Sequence, residues 1–170
     1  VTEAELEAAT SLAEQAIEAM AALEAGALSN PTEGRCVGHY WLRQPALAPE
    51  PHIAEAIEAA QEQVWQASQD LAGFETVLHV GIGGSSLGPR LLVDALGKPD
   101  RAVRFLDNID PDGIADVLNQ LSLPTLAVIV ASKSGTTAET MGALAAVQEA
   151  LAAQGLTLAE RTVAITQEGS

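Results

Sequence analysis

Positive charge is scarce in this sequence. Eight Lys and Arg stand against 23 Asp and Glu, for a formal net charge of −15. Nucleic acid and anionic lipid surfaces require clustered Lys and Arg, so both are excluded as partners. A small anion is not excluded, because exposed charges more than about 8–10 Å away are largely screened at physiological salt. The local field decides. Among Arg35, Arg43, Arg90, Lys98, Arg101, Arg104, Lys133 and Arg161, only Lys133 lies inside a glycine- and hydroxyl-rich turn. Cysteine is nearly absent: Cys36 stands alone, which rules out an internal disulfide and fits a reducing, cytoplasmic setting. Aromatics make up only 3% of the residues although 48% are apolar. Much of the apolar content is alanine, which favours close-packed helices over bulky layers. No apolar run approaches the ~20 residues of a membrane span, and no signal peptide precedes the first helical pattern. The chain opens on Val1 rather than Met, which points to a trimmed or processed start.

What is present is an alternation of helix and strand. The 170 residues suit one domain with an extension, and such a chain can bury roughly two thirds of its unfolded surface. Residues 2–26 read as an amphipathic helix with Thr2 as N-cap, Glu3 and Glu5 in its first turn, and Gly26 as its stop. Residues 28–51 are irregular and hold four prolines. Residues 53–71 form a second helix. The pattern then changes. Strands are expected at 76–80, 103–106, 126–130 and 162–165, with helices at 87–96, 111–121 and 137–154 between them. This spacing implies parallel β-α-β units, and right-handed crossovers place helices on both faces. The expected architecture is a three-layer αβα sandwich over 73–170, preceded by a helical and irregular extension over 1–72. The chain ends on a strand and the start of a turn, with no covering helix, so it reads as a piece of a longer protein.

Two turns carry the chemistry. The first is Gly81-Ile82-Gly83-Gly84-Ser85-Ser86-Leu87-Gly88, between a strand and a helix. Glycines there let the backbone approach a ligand, and free amides at a helix start attract an anion. The bland alternative is a tight turn whose serines cap the helix. A third reading is the dinucleotide fingerprint G-x-G-x-x-G. Gly81 and Gly83 fit it and Asp107 sits where a ribose-binding acid would, but Ser86 takes the place of the third glycine. No P-loop string occurs. The second turn is Ser132-Lys133-Ser134-Gly135-Thr136-Thr137. Hydroxyls, one ammonium and a helix start converge within it, which is what a phosphate requires. The alternative is a serine-threonine cap with an exposed lysine. Both turns fall at strand ends, where open α/β sheets bind ligands.

These residues resemble the glucose-6-phosphate isomerase family. The strings Gly81-Ile82-Gly83-Gly84-Ser85-Ser86-Leu87-Gly88-Pro89 and Ala131-Ser132-Lys133-Ser134-Gly135-Thr136-Thr137-Ala138-Glu139-Thr140 are similar to its two loops. Upstream, Asn30-Pro31-Thr32-Glu33-Gly34-Arg35, His39 and Leu42-Arg43 match in order, as do Asp107-Asn108-Ile109-Asp110-Pro111 and the closing Thr166-Gln167-Glu168-Gly169-Ser170. The resemblance implies a sugar-isomerase (SIS) type fold and a sugar phosphate substrate. It assigns the phosphate to Ser132, Lys133, Ser134 and Thr137, with Thr136 in the same loop, and the sugar end to Gly84 and Ser85. It implies interconversion of glucose 6-phosphate and fructose 6-phosphate through an enediol, no cofactor or metal, and a homodimer for the whole enzyme. Ser86 departs from what many members carry. The family's ring-opening histidine and lysine, its proton-transferring glutamate and its Gly-Gly-Arg arginine lie beyond the matching stretch. No catalytic residue is therefore assigned, and the chain alone is expected not to turn over. Two readings compete: a sugar-phosphate sensor module and a nucleotide-binding dehydrogenase domain.

The remaining candidates have plainer readings. His39 reads as a structural histidine tying its segment to the sheet rather than as a base. Glu33 and Arg35 read as a local ion pair, worth ~0–1 kcal/mol if exposed. His79 packs inside a strand, and His52 is solvated. Trp41 and Trp65 are expected to anchor the core.

Overall fold

The computed structural model describes residues 2–32, 34–96, 101–167 and 169. They fall into two compact units, residues 1–66 and 67–170. Lys98 and Glu33 lie outside the described residues, and with Glu33 goes its expected pairing to Arg35.

In the first unit, helix α1 (Glu3–Glu24) starts on a capping box. Thr2 accepts from the Glu5 amide at 3.3 Å, and the Glu5 carboxylate accepts from the Thr2 amide at 2.7 Å. These backbone and side-chain hydrogen bonds from Thr2 hold the Glu5 carboxyl below its ordinary value. The helix is present as its periodicity predicts, yet its apolar stripe is not buried: Leu6, Ile17 and Met20 are exposed and no α1 residue is buried. The segment read as irregular contains a short antiparallel pair, β1 (Leu28–Asn30) with β2 (Arg35–Cys36), and a 3-10 turn at Pro45–Leu47. Trp41 is the anchor here. It is 3% exposed and its indole Nε1–H donates to the Glu24 carbonyl at 2.9 Å. Gly38 makes room for it, since a Cβ there would stand 2.5 Å from the Trp41 ring. Helix α2 (Pro51–Asp70) follows. Trp65 does not anchor a core: it is 62% exposed, as is its neighbour Val64 at 69%. Helical spacing identifies a stripe but not what covers it.

The second unit is the α/β body. Strands β3 (Thr76–Val80), β4 (Ala102–Leu106), β5 (Leu126–Ala131) and β6 (Thr162–Ile165) form one parallel sheet in the order β4-β3-β5-β6. Val80 stands level with Leu106 on one side and Val130 on the other. Helices α3 (Gly84–Ala95), α4 (Pro111–Asn119) and α5 (Ala138–Ala152) are the crossovers. The chain turns one way through α3 and the other through α4 and α5, so right-handed connections put α3 on one face and the other two on the opposite face. The main core lies under α4 and α5: Leu78, Val80, Leu126 and Val128 from the strands meet Ala143, Val147 and Leu151 of α5. Asp110 caps α4 by accepting from the Gly113 amide at 2.9 Å. At the amino end of the sheet, Arg161 is buried and donates to the carbonyls of Thr157, Leu123, Pro124 and Leu126. It ties the loop before β6 to the start of β5.

The α3 boundary differs from the sequence expectation. The helix starts at Gly84, three residues early, so Ser85 and Ser86 belong to its first turn. Two glycines and a proline make this a poor helix start by propensity. The backbone bonds from the Ser86 and Leu87 amides to the Gly83 carbonyl set it nonetheless.

Candidate functional site

Both turns emerge from the carboxyl edge of the sheet, at the ends of the neighbouring strands β3 and β5. Gly81 brings their roots together. A Cβ at Gly81 would stand 3.1 Å from the Ala131 carbonyl, 3.2 Å from the Ser85 Cβ and 3.3 Å from His79 Nε2, so a side chain there would push these neighbours apart by a few tenths of an ångström. Gly83 closes the turn at φ +57° and ψ −121°, a conformation that side-chain-bearing residues rarely adopt. Gly83 and Gly84 are exposed, with open space where a Cβ would stand. The early amides of α3 are partly used internally: Ser85 donates to Ile82 at 3.2 Å and Ser86 to Gly83 at 3.0 Å. Ser86 is buried and its Oγ has no hydrogen-bond partner among the described residues.

The second turn is folded on itself. Ser132 is buried, and its Oγ lies 3.0 Å from the Thr137 Oγ1. Ser134 Oγ accepts from the Thr136 amide at 3.2 Å and pairs with the Thr136 hydroxyl at 3.1 Å. Gly135, at φ +66°, reverses the chain. Lys133, Ser134 and Thr136 are exposed. The Lys133 carbonyl accepts from the Gln167 amide at 3.2 Å, which joins this turn to the segment after β6. Thr137 occupies the N-cap position of α5, but its side chain makes no capping bond. The simple cap reading of this turn therefore lacks its hydrogen bond. A shallow cavity of about 190 Å³ borders it, lined in part by Ser132, Gly135, Met141 and Thr166.

The structure thus gathers Gly84 and Ser85 at one strand end and Ser132, Lys133, Ser134, Thr136 and Thr137 at the next. His39 is in the other unit, exposed, with its ring 3.9 Å from that of Tyr40. His52 is exposed beside Glu50, at 3.2 Å. Asp107, the acid that a dinucleotide reading would need, is held by Arg90 at 2.9 Å. The role of His79 goes beyond packing: its Nε2 lies 2.7 Å from the Ser85 carbonyl. Nothing local in the sequence signals that bond, because it joins a strand residue to a carbonyl in the following helix.

A parallel sheet with helices on both faces, and these two turns side by side at its carboxyl edge, define an αβα domain with a ligand-binding edge. The family model for phosphoglucose isomerase matches residues 1–169. This chain belongs to the phosphoglucose isomerase family. It is 43% identical to the glucose-6-phosphate isomerase of Synechococcus sp. (strain JA-3-3Ab), across 99% of this chain and 34% of that protein. It is likewise 43% identical to the chloroplastic glucose-6-phosphate isomerase 1 of Arabidopsis thaliana, across 91% of this chain and 28% of that protein. A crystal structure of a glucose-6-phosphate isomerase from Chlamydia trachomatis D/UW-3/Cx superposes with a TM-score of 0.86 at 32% identity, over 100% of this chain and 36% of that one. The chain therefore spans about a third of the length of the relatives it matches.

Proposed function

We propose that this chain carries the sugar-phosphate-binding part of an aldose–ketose isomerase that interconverts glucose 6-phosphate and fructose 6-phosphate. The observation that carries this reading is the turn at 132–137, where three exposed polar residues and a half-buried Ser132–Thr137 hydroxyl pair stand beside a helix start with no side-chain cap. Ser132, Lys133, Ser134, Thr136 and Thr137 hold the phosphate through charge-assisted and hydroxyl hydrogen bonds. Gly84 and Ser85 form a wall for the sugar, because the α3 amides behind them are already engaged by backbone carbonyls. Proton transfer between C1 and C2 through an enediol needs an acid–base group within hydrogen-bond reach. In this reading that group belongs to the part of the enzyme beyond this chain, so the chain binds without turning over.

The extension spans 1–72 and the binding domain 73–170. The reaction uses no cofactor. The complete enzyme is a cytoplasmic homodimer that engages neither nucleic acid nor membrane. Among the described residues no helix is long and apolar enough to cross a membrane. Thermal-shift titration tests the reading: fructose 6-phosphate should raise the melting midpoint and NAD should not. A response to NAD alone would replace this reading with the dehydrogenase one.

A further inference from the structure

We propose that His79 is a positioning residue for the sugar-facing turn, supplying the hydrogen bond that Pro89 withholds from Ser85. In an α-helix the carbonyl of residue 85 accepts from the amide of residue 89. Here residue 89 is proline, inside α3, and it has no N–H to give. The Ser85 carbonyl would be an orphan at a half-buried position. His79 Nε2 lies 2.7 Å from it. A carbonyl oxygen only accepts, so Nε2 carries the proton.

The ring is well placed to hold this bond. His79 is 5% exposed, stands in β3 level with Phe105 and Ile129, and packs its ring 5.4 Å from that of Phe105. Arg90 lies over the same Phe105 ring at 5.0 Å while bonding Asp107. Gly81 leaves the space, since its missing Cβ would crowd both His79 Nε2 and Ser85. The bond therefore runs from a rigid central strand to the first turn of α3. That turn carries Gly84 and Ser85, so the consequence for ligand binding rests on the sugar-phosphate reading. His79 sets the sugar wall and leaves the phosphate loop alone.

The test is a double-variant cycle on this chain, with melting midpoint and ligand affinity as readouts. His79→Leu should lower the midpoint and weaken fructose 6-phosphate binding roughly fivefold, the usual scale for one hydrogen bond. Binding of inorganic phosphate should be unchanged. Pro89→Ala restores a backbone donor, so His79→Leu should cost far less in that background. His79→Gln, which keeps an N–H donor, should recover part of the loss. In the unaltered chain, the nitrogen-15 spectrum of the ring should show the proton on Nε2. Equal cost of His79→Leu in both backgrounds, or a neutral ring protonated at Nδ1 alone, would overturn the hydrogen-bond role. Equal loss of fructose 6-phosphate and inorganic phosphate would overturn the positioning role. If His79→Leu fails to fold, rescue by Pro89→Ala supports the proposal and failure to rescue contradicts it. If neither ligand binds the unaltered chain, the sugar-phosphate reading and the positioning role fall together. The His79–Pro89 coupling is still decided by the midpoints and the ring spectrum.

Discussion

At the scale of single residues, the candidate site depends on backbone freedom at one position and on charge at another. Gly83 occupies a φ/ψ region closed to most side chains, although a Cβ there meets nothing. Gly83→Ala should therefore cost about 1–3 kcal/mol through strain alone, with no clash. Chemical denaturation measures this, and a neutral result would show that the turn relaxes. Lys133 is the opposite case: it is exposed, and it is the cation of the turn proposed to hold the phosphate. Lys133→Ala should leave the unfolding midpoint within about 0.5 kcal/mol of the parent, as surface substitutions usually do. It should weaken fructose 6-phosphate binding about tenfold or more, the scale of a charged hydrogen bond. Calorimetry separates the two effects. The sequence announces both residues, because glycine punctuation and a lysine among hydroxyls are local signals. His79 and Pro89 are not announced in the same way. Their relation appears only when strand and helix are placed together, ten residues apart along the chain.

At the scale of elements, two groups of hydrogen bonds hold ends that propensity leaves weak. Arg161 is buried among four backbone carbonyls from the loop before β6 and the start of β5. Arg161→Met keeps the length but leaves those acceptors unmatched, and should destabilise the second unit by about 2–3 kcal/mol. Arg161→Lys should recover little, because one ammonium cannot span the acceptors that a guanidinium fork reaches. Denaturant midpoints of the three chains decide this. The α1 capping box predicts a pH effect. The Glu5 carboxyl is held below its ordinary value of 4.5 by the Thr2 hydrogen bonds. A lowered pKa means the unfolded chain binds more protons, so this contribution is complete above 4.5 and fades as pH falls through the lowered value. Far-UV circular dichroism from pH 7 to 3 should show that acid removes more helix from the parent than from Glu5→Ala. Equal loss would remove the capping box from the account. The element order and the four strands are legible because each short strand run gives way to glycine or a polar residue, at Gly81, Asp107, Ser132 and Thr166. The β1–β2 pair is not legible, since two short polar strands carry no periodicity. Trp65 misleads because hydrophobicity marks it for burial and its helix leaves it on the surface.

At the scale of the whole molecule, the chain belongs to the phosphoglucose isomerase family and matches about a third of its relatives' length. Its α3 helix exposes Leu87, Leu91 and Leu92, the C-cap residue Leu96 is exposed after it, and its β6 strand exposes Ile165. The division of labour proposed here makes a kinetic prediction: the purified 170-residue chain should show no isomerisation of fructose 6-phosphate above the uncatalysed rate in a coupled assay. Turnover would place the acid–base group inside this chain. The most direct test of the central claim is nuclear magnetic resonance titration of the labelled chain with fructose 6-phosphate. Fructose 6-phosphate should give saturable shifts at the amides of 132–137 together with 84 and 85, and inorganic phosphate should shift 132–137 alone. Shifts confined to other residues, or none at saturating ligand, would contradict the claim.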